Sequence, residues 1–257
     1  MYENLKYEVK DGLAFVTVNR PQALNALNVD VLNDLYDVFS VIESDPEVQG
    51  IVVTGEGKAF VAGADIAQMS QLTPEEAEAM MVRGHEVMNK IEACPKVVVA
   101  AVNGFALGGG CELSMACDIR IASDKAKFGQ PEVGLGIIPG FGGTLRLAKL
   151  VGKGMAKYLI LSAEIIGADE AYRIGLVEKL VPAEELMGEA EKVARNIMSK
   201  SPVAIKEAKA AIDEEFDIPS LDAGKIEVKR IVNCFASEDR KEGMTAFLEK
   251  RPAVWKK

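Results

Sequence analysis

Glu112 and Glu132 each stand beside a glycine-rich segment: Gly108-Gly109-Gly110 leads into Glu112, and Glu132 precedes Gly134-Leu135-Gly136-Ile137-Ile138-Pro139-Gly140-Phe141-Gly142-Gly143. Two carboxylates in one apolar pocket can work as a general acid and a general base, because their surroundings set their proton affinities apart. Glycine adds a second capability. Lacking a Cβ, it lets the backbone come close to a substrate atom, and two N–H groups placed this way form an oxyanion hole. The triplet runs into the helical pattern Cys111-Glu112-Leu113-Ser114-Met115-Ala116-Cys117, which aims free N–H groups and the positive end of a helix dipole beyond the glycines. Each feature alone has a plainer reading. A first-turn carboxylate is favoured by the dipole, Glu132 after Pro131 reads as a solvated turn charge, and a lone glycine triplet reads as a tight strand-to-helix turn. A short strand signal at Asp118 to Ala122 can fold the two carboxylates into one pocket, although spacing alone does not bring them together.

Several other chemistries lack their residues. Gly134-x-Gly136 places Pro139 where a dinucleotide fingerprint needs its third glycine, and Gly57-Lys58 is followed by Ala59 where a phosphate loop needs Ser or Thr. No G-x-S-x-G elbow is present. His85 is the only imidazole and falls mid-helix, where it reads as a surface or partly packed side chain. Cys94, Cys111, Cys117 and Cys234 form no C-x-x-C pair, so zinc and disulfide frameworks lack ligands and no metal is expected. The net charge of −9 weighs against a nucleic-acid partner. The longest uncharged run, Val97 to Cys111, is shorter than the roughly 20 apolar residues of a membrane span. The charged start Met1-Tyr2-Glu3-Asn4-Leu5-Lys6 lacks the order of a secretory signal, so a reduced, cytoplasmic protein is expected.

The elements that must position these residues alternate through the first part of the chain. Leu13 to Val18, Ile51 to Thr54 and Val97 to Val102 read as strands; Asp30 to Ile42 and Pro74 to Ile91 read as helices, the second capped by Thr73. This is an α/β layered pattern. Beyond Thr144 only Leu176 to Val181 looks extended, and Ala183 to Ser199 carries Leu186, Val193 and Ile197 on one helical face. Ser201-Pro202 ends that helix and sets a boundary near residue 199, with helices after it. No internal repeat is evident.

An ordered series of motifs runs almost the whole length: Asn19-Arg20-Pro21 with Ala23-Leu24-Asn25-Ala26-Leu27, Phe60 to Ile66, Ala100 to Gly104 leading to Gly110-Cys111-Glu112-Leu113, Gln130-Pro131-Glu132 to Gly143, and Lys241 to Arg251. On these residues the chain resembles the enoyl-CoA hydratase/isomerase (crotonase) superfamily, most closely its bacterial short-chain hydratases. The resemblance implies an α/β fold, a crotonase-like spiral of ββα units with a helical C-terminal region. Residues 1–199 would form the catalytic core, and 200–257 would serve oligomerisation and CoA contacts. It implies that the N–H groups of Ala64 and Gly109 bind the thioester oxygen. Glu112 would then be the main water base and Glu132 the acid at the α-carbon, in reversible syn hydration of a trans-2-enoyl-CoA to the (3S)-3-hydroxyacyl-CoA. Gly140 matches the position whose backbone helps hold the water.

The resemblance also places the adenine of CoA around Ala62, Ala64, Asp65 and Ile66, with Phe247 and Lys250 near the nucleotide. Arg240, Lys241, Lys250, Arg251, Lys256 and Lys257 outnumber Glu242 and Glu249 there, a pattern that suits CoA phosphates or a solvated helix face. CoA enters as part of the substrate, so no separate cofactor is implied, and the assembly implied is a homo-hexamer of paired trimers. Short-chain relatives imply C4 substrates, as in butyrate fermentation or fatty-acid β-oxidation. Met69, Met80, Met81 and Phe141 are candidates for an acyl pocket or for core. Leu145 and Ile231 depart from common family residues, Gln and Phe, away from the proton chemistry. Isomerase, decarboxylase or acyl-CoA hydrolase activity on this scaffold, and an RNA-binding role, are the competing readings.

Overall fold

The computed structural model describes residues 2–216 and 220–255, so Lys256 and Lys257 of the basic tail lie outside the described residues. The strands are β1 (Leu5–Lys10), β2 (Leu13–Val18), β3 (Gly50–Gly55), β4 (Ala59–Val61), β5 (Val97–Val102), β6 (Phe105–Leu107), β7 (Ile119–Ser123), β8 (Lys127–Gly129), β9 (Ile165–Gly167) and β10 (Lys179–Val181). The α-helices are α1 (Val29–Ser44), α2 (Ile66–Met69), α3 (Pro74–Glu92), α4 (Gly109–Ala116), α5 (Gly143–Ser162), α6 (Ala168–Arg173), α7 (Leu186–Met198), α8 (Pro202–Glu215), α9 (Ser220–Ala236) and α10 (Glu238–Glu249).

One sheet runs β1-β2-β3-β5-β7-β10 and a second runs β4-β6-β8-β9. The pairs β3-β4, β5-β6 and β7-β8 each place one strand in either sheet and each lead into helix, which makes the spiral of ββα units. No repeat shows in the sequence because each turn demands apolar side chains at buried positions but not the same ones. The unbroken apolar runs of β3 and β5 are buried throughout, as parallel strands covered on both faces must be. Val52, Val97, Val99 and Ile121 share one core with Leu186, Ala190 and Ala194 of α7. Val53, Val98, Ala100 and Val102 share the other with Leu35 of α1, Val87 of α3 and Phe60, Ala106 and Phe128 of the second sheet.

Local signals start the helices where expected. Asn28 caps α1 by accepting from the Val31 N–H, and Thr73 and Glu76 form a reciprocal capping box on α3. Two expectations shift. Only Lys179–Val181 of the extended 176–181 segment is a strand, because the N–H groups of Leu176 and Val177 turn back to Ala171 O and close α6. The helix expected from Ala183 begins as a 3-10 turn, Ala183–Glu185, before α7.

Two asparagine amides fix the turn between β3 and β4. Asn103 Nδ2 donates to Gly55 O, Gly57 O and Ala59 O, and Asn25 Nδ2 donates to Glu56 O and Ala59 O while its Oδ1 accepts the Arg20 N–H. Asn25 is fully buried at φ 62°, a left-handed conformation that Asn tolerates better than most residues. Asn25→Ala strands several buried backbone groups and is expected to lower stability by roughly 2–4 kcal/mol in urea unfolding. A loss under about 0.5 kcal/mol, the range of ordinary surface substitutions, would remove Asn25 from this role.

Candidate active site

The chain from Asn25 to Asp65 places the first backbone donor. Leu27 bonds Gly63 O through its N–H at 2.9 Å and accepts the Asp65 N–H at 2.8 Å, so it holds the peptides on either side of Ala64. Among the described residues the Ala64 N–H itself has no acceptor. The second donor comes from the start of α4. Gly109 is its first residue, so its N–H has no intrahelical acceptor. Gly108 before it lies at φ 49°, ψ −122°, a conformation that glycine alone adopts readily. Every residue of α4 is buried, and a Cβ on Gly110 would meet Val61 O at 1.8 Å, so the helix seats directly on β4.

Glu112, 1% exposed, follows in the first turn of α4. Its Oε1 accepts the N–H groups of Phe141 (2.8 Å) and Gly143 (2.6 Å), at the N-terminus of α5. Burial pushes this carboxyl up, while the Gly143 and Phe141 N–H groups and the Arg146 charge pull it down. Glu132 stands on the 3-10 turn Pro131–Leu135 and is 9% exposed, so it is not the solvated turn charge of the plain reading. Burial raises it to about 7, with its own N–H lowering it and the Glu112 charge raising it further. The fully buried Gln130 turns its amide nitrogen to both Glu132 oxygens, at 3.0 and 3.1 Å, since only the NH2 end can donate there.

These groups share a cleft of about 620 Å³ including its mouth, whose apolar lining comes from Met69, Met81, Leu107, Leu135, Ile138 and Phe141 among others. The structure brings together in it Ala62, Ala64, Ile66, Gly109, Glu112, Glu132 and Gly140. It leaves others outside. Asp65 caps α2 through Oδ1 and pairs with Arg20 at 3.1 Å, so its side chain is committed away from the cleft. Phe247, 82% exposed on α10, and Lys250, the left-handed C-cap of that helix, do not line it. Met69, Met81 and Phe141 line the cleft, whereas Met80 is core. His85 is an exposed residue of α3.

Spacing did not reveal what holds Glu112: the Phe141 and Gly143 N–H groups and, behind them, Arg146. A lone arginine entering an otherwise apolar helix start is the one signal available, and it suits a surface charge equally well. A carbonyl oxygen seated against the Ala64 and Gly109 N–H groups would share one largely apolar cleft with the two carboxylates. The cleft thus has the make-up of one class of site, in which backbone donors can polarise a carbonyl and carboxylates can move protons.

Comparison with known proteins places the chain within that class. It matches the enoyl-CoA hydratase/isomerase family over residues 8–257 and belongs to that family. It is 54% identical over 253 residues to the crotonyl-CoA hydratase of Syntrophomonas wolfei, covering 98% of this chain and 97% of the relative. It is 52% identical over 249 residues to the short-chain-enoyl-CoA hydratase of Clostridium acetobutylicum, covering 96% and 95%. The crystal structure of enoyl-CoA hydratase from Bacillus anthracis superposes with a TM-score of 0.96 at 36% identity, over 99% of both chains.

Proposed function

We propose that this chain is a short-chain enoyl-CoA hydratase that adds water reversibly and syn across a trans-2-enoyl-CoA, crotonyl-CoA foremost, giving the (3S)-3-hydroxyacyl-CoA. The observation that carries the reading is the pair of buried carboxylates in unlike surroundings, sharing one cleft with two N–H groups that have no acceptor among the described residues. The Ala64 and Gly109 N–H groups take the thioester oxygen and stabilise the charge it gains as the β-carbon is attacked. Glu112, anchored by two N–H groups, takes a proton from the water. The water oxygen forms the new bond to the β-carbon, and Glu132 gives its proton to the α-carbon. The backbone of Gly140, which lines the cleft, helps hold the water. Both carboxylates are present where an isomerase needs one proton-shuttling group, which favours hydration as the main reaction.

The wider assignment follows the same reading. Residues 1–199 form the catalytic core, and 200–257 serve assembly into a homo-hexamer and, through Phe247 and Lys250, contact with CoA. Ala62, the Asp65 backbone and Ile66 border the adenine. CoA is a substrate and no other cofactor is required; the protein works in the cytoplasm. Among the described residues no helix is long and apolar enough to cross a membrane.

The test is to mix the chain with crotonyl-CoA, follow loss of the conjugated enoyl absorbance, and determine the product configuration. Rapid loss with a (3S) product is expected; binding without hydration would overturn the assignment and turn attention to isomerase, decarboxylase and hydrolase substrates. The pH dependence is specific. Hydration uses anionic Glu112 with protonated Glu132, and dehydration uses the reverse arrangement of the same single proton. Both directions therefore share one bell for kcat/KM, whose alkaline side falls as pH rises through about 7. A flat profile from about pH 6 to 9 would contradict the role of Glu132.

A further inference from the structure

We propose that Arg146 is a positioning residue for Glu112: its guanidinium clamps the one peptide unit that separates the two N–H groups holding that carboxylate. The proposal rests on the hydratase reading and extends it to a side chain that does not line the cleft. Glu112 Oε1 accepts from the N–H of Phe141 and the N–H of Gly143. The peptide between those two donors carries the Phe141 carbonyl, and Arg146 Nη1 donates to it at 3.0 Å. The fit is close. Gly142 takes φ 103°, and a Cβ there would stand 2.3 Å from Arg146 Nη1. The rest of the guanidinium is anchored on α3, with Nη2 donating to Asn89 Oδ1 at 2.9 Å and to Glu92 Oε2 at 2.6 Å. A planar fork with donors to spare performs this three-way grip; a lysine ammonium does not.

Two effects follow for Glu112. The turn that presents its donors is locked in place, and a buried positive charge sits behind that turn. The charged or titratable groups near Glu112 are Arg146 from α5, Glu132 from the Pro131–Leu135 turn and Cys111 from its own helix. His85 on α3 lies by Gly142, and Glu92 stands behind Arg146. Of these only Arg146 is a fixed cation, so its removal shifts Glu112 toward the protonated form.

The experiment compares Arg146→Met, Arg146→Lys and Glu92→Gln with the parent, reading kcat, KM and the acid side of the pH profile with crotonyl-CoA. In parallel, 13C-labelled glutamate NMR follows the Glu112 carboxyl, assigned by its absence in Glu112→Gln. Arg146→Met is expected to lower kcat about 10–100-fold with KM within about twofold, the scale of a small misplacement of a reacting group. It should also move the acid limb and the Glu112 titration to higher pH. Arg146→Lys keeps the charge but loses the fork, so kcat falls while the limb stays near the parent's. Glu92→Gln leaves Arg146 less neutralised and does not move the limb upward. A fall in rate with both midpoints unmoved in Arg146→Met would reduce Arg146 to a structural arginine and overturn the proposal. If Arg146→Met does not fold, an upward limb in Glu92→Gln or full activity in Arg146→Lys overturns it equally. A parent that fails to hydrate crotonyl-CoA sinks the hydratase reading alone, because the Glu112 titration still reports whether Arg146 governs that carboxyl.

Discussion

Glu112→Gln and Glu132→Gln are each expected to lower crotonyl-CoA turnover by about 10²–10⁴ with little change in KM, since each amide keeps the shape and loses the capacity to take up or release a proton. In Glu112→Gln the amide oxygen still accepts from the Phe141 and Gly143 N–H groups, so the turn survives the change. The double variant should fall no further than the weaker single, because the two groups serve one proton relay. Stability separates catalysis from folding. Folded Glu132 holds its proton up to about 7 against 4.5 in the unfolded chain, so the folded state binds more protons between those values and stability declines as pH rises through that window. Glu132→Gln removes that decline. The variant should therefore melt above the parent at about pH 8 and not at about pH 4, while being nearly inactive at both. Turnover within about tenfold of the parent in either single variant would dismiss that carboxylate from the chemistry.

Gly108→Ala is the second large effect expected. The new Cβ would lie 2.7 Å from Glu132 Oε1, in a backbone conformation of φ 49° that opposes an L side chain. Either the carboxylate moves or the peptide carrying the Gly109 N–H rotates. Each route damages the transition state more than substrate binding, and loss of one oxyanion donor alone costs about 10²–10³ in kcat. Gly154→Ala in α5 is the matched control, for nothing lies within 4 Å of its Cβ. Steady-state kinetics on the pair gives the answer. If Gly108→Ala keeps kcat within about threefold of Gly154→Ala, the close approach of Gly108 to Glu132 is irrelevant to catalysis.

Much of this arrangement was legible in residue types. The apolar runs of β3 and β5, the cap at Thr73 and the first-turn place of Glu112 all express local physics that a sequence carries. β4, β6 and β8 were not legible, because three residues are too few to show a period of two. β6 even separates the Asn103-Gly104 turn from the glycine triplet that the residue order places close behind it. The burial of Glu132 was hidden for a different reason. Pro131-Glu132 has the composition of a surface turn, and only the fold sets Gly108 and the buried Gln130 against its carboxylate. Arg146 was hidden likewise, since its partners Asn89 and Glu92 lie on α3, far back in the chain. The motif series supplied the convergence that spacing could not, and it also directed attention to Asp65, whose side chain the fold uses to cap α2.

The enclosure of α4 on every side bears on how the site comes apart. Local opening in proteins draws on segments with few buried contacts and exposed backbone bonds, and α4 has neither property. On that basis the hydrogen-bonded turns of α4, from Glu112 onward, are expected to separate late. The hydrogen-bonded amide protons of α4, from Glu112 onward, should therefore exchange only through global unfolding, and heat should remove this half of the site and the fold in a single step.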